Sequence, residues 1–121
     1  MILVDTSVWI DHFRGENNRL PEFLDRVIVL THPFVIGELA CGNLKNRSYI
    51  LTMLSNLPAA VEASDGEVIE FIEKRSLYGR GIGYIDVHLL AAAALTPDTR
   101  LWTMNIRLKE IAESMDLGLH L

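Results

Sequence analysis

Short apolar runs alternate with amphipathic stretches along this chain, and the alternation predicts strands and helices in turn. Residues 2 to 4, Ile-Leu-Val, are an apolar run typical of a buried parallel strand. The Thr-Ser pair that follows Asp5 is typical of a helix start. Residues 6–14 predict the first helix, which Gly15 and the asparagines at 17 and 18 end.

The remaining sequence continues this alternation. The expected elements are a helix over 20–26, a strand over 27–32, a helix from Pro33 to Gly42, a helix over 47–57, a short strand over 59–63, a helix after a Ser64/Glu67 capping box, a glycine-rich turn over 79–83, a helix over 84–95, a strand over 101–103, a helix over 106–115 and an edge strand over 117–121. The helix over 84–95 is apolar nearly all round, which predicts a buried central position. We therefore predict an α/β fold, a three-layer α/β/α sandwich with a mostly parallel central sheet.

The length and composition restrict the class of protein. At 121 residues we expect one domain, residues 1–121. No apolar run approaches the roughly 20 residues of a membrane helix, and residues 1–4 are too short for a signal-peptide core, so we expect a cytoplasmic protein without a membrane association. The single cysteine, Cys41, has small apolar neighbours and is expected to be buried and inert.

The net charge is −5, from 16 acidic and 11 basic residues. This balance argues against a protein that holds nucleic acid chiefly by bulk positive potential. It is compatible with a nuclease, because an acidic cluster that binds Mg²⁺ or Mn²⁺ adds to the negative total. An acidic protein also suits a basic partner segment.

Three acidic residues are candidates for chemistry. Asp5 follows the first strand, and in open α/β sheets ligands gather at the carboxyl ends of strands; Asp is equally a preferred N-cap. Glu38 lies on a predicted helix face with apolar neighbours and without a basic residue one turn away, which indicates either a functional acid or a satisfied structural one. Asp86 lies in the first turn of the buried helix, where the helix dipole alone favours a negative charge.

Taken together, these acids are expected near one edge of the sheet. Carboxylate oxygens in such an arrangement suit a hard divalent cation, Mg²⁺ or Mn²⁺. His88 lies two residues after Asp86, points away from it on a helix and is expected to be structural. Most of the basic residues are expected to be ordinary surface charges. Arg80, in the glycine-rich turn beside Asp86, is the one most readily placed near a phosphate, but a solvated loop arginine is the favoured interpretation for it as well.

The chain resembles the PIN-domain family, and within it the VapC-type toxins of type II toxin-antitoxin systems. The similarity lies in four segments that occur in order, MILVDTSVWID, THPFVIGELACGNL, GRGIGYIDVHLLAAA and RLWT. The resemblance implies a metal-dependent endoribonuclease that uses Mg²⁺ or Mn²⁺ to hydrolyse RNA, a cognate VapB-type antitoxin and a homodimer. The family's acidic positions fall on Asp5, Glu38 and Asp86.

The fourth acidic position of the family falls on Asn105, in WTMNIRL. Asparagine keeps the shape and one acceptor oxygen of aspartate but removes a charge, so we expect one divalent ion to be held better than a second. Asn105 is therefore a tentative metal ligand. It also leaves open a second interpretation, a catalytically weakened module that binds RNA or antitoxin.

A Mg²⁺-dependent receiver-type domain also gathers acids at strand ends, but it needs a second acid close after Asp5, and DTSVWI has none.

Overall fold

The structure, a computed structural model, describes residues 1–17 and 19–121, so Asn18, expected to help end the first helix, lies outside the described residues. The elements in chain order are β1 (Ile2–Val4), α1 (Thr6–Phe13), α2 (Leu20–Asp25), β2 (Val29–Leu30), α3 (Pro33–Ala40), α4 (Arg47–Asn56), α5 (Asp65–Arg75), α6 (Tyr84–Leu95), β3 (Arg100–Trp102) and α7 (Ile106–Ser114). The predicted α/β sandwich with a parallel sheet is confirmed.

The first strand occupies the centre of the sheet, whose order is β2-β1-β3 with all pairs parallel. Ile2 pairs with Val29 on one side and with Arg100 on the other. Because β1 has a neighbour on both sides, its residues are buried and apolar, as the sequence pattern indicates. The carboxyl ends of β1 and β3 therefore lie side by side.

Helices α5 and α6 form as their sequences predict. Ser64 and Glu67 form the capping box of α5, each side chain bonding the other residue's backbone N–H. Helix α6 is buried from Val87 to Ala93, which is why it lacks a polar face. It packs against α5 and β3.

Three predicted strands are shorter in the structure than in the sequence interpretation. Val27 has a positive φ of 56° and is 72% exposed, so the strand expected over 27–32 begins only at Val29. Pro33 opens α3 and leaves the second strand little room to continue. The strands expected over 59–63 and 117–121 are reduced to single parallel bridges, Thr31 with Ala59 and Leu101 with Gly118, because the partner strands end within a residue of those pairs.

Cys41 is exposed at the end of α3, so the expectation of a buried thiol is wrong. The small residues around it mark the end of the helix instead of a packed interior. Among the described helices, none is both long and apolar enough to cross a membrane.

Candidate active site

Asp5 stands where β1 ends and α1 begins, and it is the N-cap that its sequence position suggested. Its extended backbone makes it the N-cap of α1, and Oδ1 accepts a hydrogen bond of 2.7 Å from the backbone N–H of Thr6. Its own N–H donates to the carbonyl of Trp102 at 2.9 Å, which ties it to the end of β3. The residue is 6% exposed.

Two hydroxyl groups fix the other oxygen of the Asp5 carboxylate. Thr103 Oγ1 donates to Oδ2 at 2.7 Å and Ser7 Oγ donates to it at 2.9 Å. The hydroxyls are themselves held by the turn after β3, since the backbone N–H groups of Asn105 and Met104 donate to Thr103 and Ser7 at 3.1 and 3.0 Å. The carboxylate is thus oriented by a residue of α1 and by the residue that follows β3, without a basic partner in the described structure.

Asp86 lies in the first turn of α6 and faces the same region. Its Oδ2 accepts a 3.0 Å hydrogen bond from the backbone N–H of Gly83, which caps the helix. Partial burial raises the pKa of Asp86, the Gly83 hydrogen bond lowers it, and the negative charge of Asp5 raises it further. Burial is the main cause of the raised pKa, and the added effect of Asp5 indicates that the two carboxylates face the same region.

Glu38 is placed differently from the sequence expectation. Val35 and Leu39 are buried, but Glu38 is exposed and does not share their apolar face, because only one stripe of α3 packs on the core. Oε1 of Glu38 accepts a 2.7 Å hydrogen bond from Thr6 Oγ1. The hydrogen-bond partner of Glu38, which the sequence alone did not reveal, is thus the hydroxyl of Thr6 on α1, the residue next to Asp5. This contact brings Glu38 to the edge of the same site.

Asn105 is the N-cap of α7. Its Oδ1 accepts from the backbone N–H groups of Arg107 and Leu108 at 3.1 and 3.2 Å. Its backbone N–H bonds Thr103, the residue that orients Asp5. The asparagine therefore lies beside the acidic pair, with its side-chain oxygen engaged in capping.

The amino-acid sequence is similar to those of known proteins. The sequence profile of the PIN domain matches residues 2–114. The chain belongs to the PIN domain family. It is 46% identical over 109 residues, 90% of this chain and 88% of the relative, to Ribonuclease VapC32 of Mycobacterium tuberculosis strain CDC 1551 / Oshkosh. The protein of the same name from strain ATCC 25618 / H37Rv matches equally.

The donor set of this PIN domain fits a divalent cation through its two neighbouring carboxylates. Within the part of the chain that the structure describes, no three His, Cys, Asp or Glu side chains are grouped closely enough to hold an ion by themselves. Mg²⁺ commonly keeps several waters and is held by one or two carboxylates. Asp5 and Asp86 supply that number, and a bound cation would stabilise the charged form of Asp86, whose pKa is raised first by burial and further by the charge of Asp5.

The sequence alone does not show which residues orient these acids. The hydroxyls of Thr6, Ser7 and Thr103 are compatible with simple capping or strand roles, and only their convergence in space makes them partners of Asp5 and Glu38. His88 is buried with its Nε2 3.2 Å from Oδ1 of Asp65 on α5, which agrees with the expected structural role.

Proposed function

We propose that this PIN domain is a divalent-metal-dependent endoribonuclease that hydrolyses RNA phosphodiester bonds, the toxin of a VapBC-type toxin-antitoxin pair. The observation that carries the proposal is the pair of carboxylates, Asp5 and Asp86, without basic partners in the described structure, at the carboxyl end of the sheet. The 46% identity to proteins named ribonuclease supports it.

In this proposal Asp5, Asp86 and Glu38 are the catalytic residues; Asp5 and Asp86 would hold Mg²⁺ or Mn²⁺ directly, and Glu38 would contact the ion through a bound water. When bound, such an ion stabilises the charge that develops on the phosphate and lowers the pKa of a bound water. Asp5 enters with fixed geometry, because the protein supplies hydrogen bonds to both of its oxygens. Only Oε1 of Glu38 is engaged by the described residues, so Oε2 is available to accept a proton from the attacking water.

Asn105 is the neutral member of the proposed metal site. Its Oδ1 already accepts two backbone hydrogen bonds, whereas an aspartate at this position would have a second oxygen free to bind the ion. Asn105 is therefore the weaker ligand. We accordingly assign one well-held ion and a weaker second position at most.

The proposed partners follow from the VapC relatives. We propose a VapB-type antitoxin that covers the acidic site with a basic segment, a homodimer of the toxin and a cytoplasmic location. The net charge of −5 favours a basic partner segment by charge complementarity.

The competing function is a PIN domain that binds RNA or antitoxin but cleaves RNA weakly or not at all. The observation that favours it is Asn105, whose neutral side chain acts as a helix cap at the edge of the acidic site.

The test is cleavage of a structured RNA pool by the purified chain with Mn²⁺, with Mg²⁺ and with EDTA. We expect cleavage with either metal, none with EDTA, and at least a hundredfold loss in Asp5→Asn and Asp86→Asn, which retain the shapes and acceptor oxygens. Cleavage by either variant at the wild-type rate would show the site assignment to be wrong.

The Asn105→Asp variant separates the two functions. If both forms cleave RNA, the chain is a nuclease that tolerates asparagine. Cleavage by Asn105→Asp alone would identify a weakened toxin, and cleavage by neither form would favour the binding module.

A further inference from the structure

An arginine lies across the glycine-rich turn that precedes α6. Gly81 has a φ of 80°, and a Cβ at this position would lie 2.8 Å from Cδ of Arg107 and closer still to its guanidinium group. The side chain of Arg107 therefore occupies the space that any other residue at 81 would fill. The second glycine with positive φ in this turn, Gly79, has no atom within 4 Å of its would-be Cβ.

The position of Arg107 connects the two segments that support the acidic pair. Arg107 lies in the first turn of α7, where its backbone N–H donates to Asn105, and Asn105 contacts the hydroxyl of Thr103 that orients Asp5. At its other end the side chain reaches Gly81, two residues before the Gly83 N–H that holds Asp86. The guanidinium is thus placed at the rim of the acidic site.

Arg107 retains its donors for a ligand. Among the described residues it forms neither an ion pair with an acid nor a side-chain hydrogen bond, although it is seated against the backbone. Arg100 and Arg19, by contrast, bond acidic side chains. A guanidinium presents a planar fork of donors that matches a phosphate, and an RNA strand approaching three carboxylates needs a compensating positive charge.

We propose that Arg107, seated on Gly81, binds a backbone phosphate of the RNA at this site. The inference rests on the proposed ribonuclease function and adds to it a residue that positions the strand beside the acidic pair. Gly81 leaves room for the side chain of Arg107, and Arg80, on the same glycine-rich turn, is exposed as Arg107 is.

The test measures binding of a short fluorescein-labelled single-stranded RNA in EDTA by fluorescence anisotropy, across a series of salt concentrations. Arg107→Ala is expected to weaken binding roughly tenfold and to reduce the slope of log affinity against log salt by about 0.7, the value for one lost phosphate contact on a single strand. Arg107→Lys keeps the charge but not the fork, so we expect an intermediate loss and an unchanged slope. Arg26→Ala, at the end of α2 that leads into the opposite edge of the sheet, is the control for net charge.

Substitutions at two glycines test whether the space at Gly81 positions Arg107. Gly81→Ala should displace the guanidinium and weaken RNA binding by up to the Arg107→Ala loss, whereas Gly79→Ala, which imposes left-handed backbone strain without a neighbour to displace, should not change RNA binding. In the Arg107→Ala background, Gly81→Ala should have no further effect.

The outcomes separate this inference from the proposed function. Wild-type binding and slope in Arg107→Ala, or a loss in Gly81→Ala that persists without the arginine, would overturn the assignment even if the wild type cleaves RNA. A wild-type chain without measurable RNA affinity would also overturn it. Binding that depends on Arg107 in a chain that never cleaves RNA would support the arginine assignment and overturn the nuclease.

Discussion

Asp5 has several structural roles at once: it caps α1, its backbone N–H bonds the end of β3, and its carboxylate accepts two side-chain hydrogen bonds. Its carboxylate is buried, and hydrogen bonds to charged groups contribute more than those between neutral groups. The hydroxyl groups around it are therefore required for the stability of the fold as well as for the geometry of the site.

Replacement of Thr103 by valine tests this dependence. Loss of the 2.7 Å hydrogen bond to Asp5 should lower the free energy of unfolding by about 1.5–3 kcal/mol, because a buried carboxylate loses a donor at constant side-chain volume. Urea denaturation measures the change. Thr103→Ser keeps the hydroxyl, loses only the methyl group and serves as the control; a Thr103→Val loss no larger than the Thr103→Ser loss would show that the hydroxyl is not what stabilises Asp5.

The environment of Asp86 makes the stability of the folded protein depend on pH, and the direction of that dependence follows from the raised pKa. Its pKa in the folded protein is raised above the ordinary value of 3.8, first by burial and further by the charge of Asp5. Between the unfolded and folded pKa values the folded state binds more protons, so this residue lowers stability as pH rises through that window. Its destabilising effect is complete above the folded pKa.

We expect Asp86→Asn to raise the melting temperature of the metal-free protein at neutral pH, since asparagine can still accept the Gly83 hydrogen bond. The difference in melting temperature between Asp86→Asn and the wild type should shrink as the pH falls and disappear below about 3.9, where Asp86 of the unfolded wild-type chain is also protonated. Melting curves in EDTA from pH 3 to pH 8 test this. Glu110→Gln, an exposed acid on α7, controls for the net charge, and an advantage that grows toward low pH would contradict the assigned sign.

At the scale of elements, α6 is both the centre of the core and the carrier of Asp86. Its first turn is partly exposed at the site, while the following turns are buried against α5 and β3. Packing of the apolar turns therefore determines where the carboxylate stands. A defect in the buried part of this helix should affect stability and site geometry together.

Leu89→Ala tests this element. Leu89 is fully buried, so the truncation should lower the free energy of unfolding by about 2–5 kcal/mol through lost burial and a cavity. Leu95→Ala, at the exposed end of the same helix, should change it by no more than about 0.5 kcal/mol. Denaturant titration compares the two, and equal losses would show that α6 is not packed as described.

At the scale of the whole molecule, the acidic pair should couple metal binding to folding. An ion that binds only the folded chain stabilises it by about 2.7 kcal/mol at 100 times its dissociation constant. Increasing Mg²⁺ or Mn²⁺ should therefore raise the melting temperature of the wild type in a thermal-shift assay, with NaCl at matched ionic strength as the control. Asp86→Asn should lose most of that response, and an undiminished response would place the ion elsewhere.

Much of the architecture could be read from local patterns. The apolar run of β1, the Ser64/Glu67 capping box and the featureless apolar surface of α6 each have a cause within a few residues of sequence. The lengths of the outer strands could not be read in this way, because a strand extends only as far as its partner. Residues 59–63 form a single bridge since the neighbouring chain turns into α3 after Thr31.

The sequence by itself determined that this chain is an α/β domain of the PIN family and that Asp5, Glu38 and Asp86 are its acids of interest. Only the tertiary structure decided how they are held. Glu38 is exposed and bonded to Thr6, Asp5 is oriented by Ser7 and Thr103, and Arg107 occupies the space above Gly81. The physical reason is that these contacts, apart from that of Ser7 with Asp5, join residues far apart in the chain, and they depend on packing that no local pattern records.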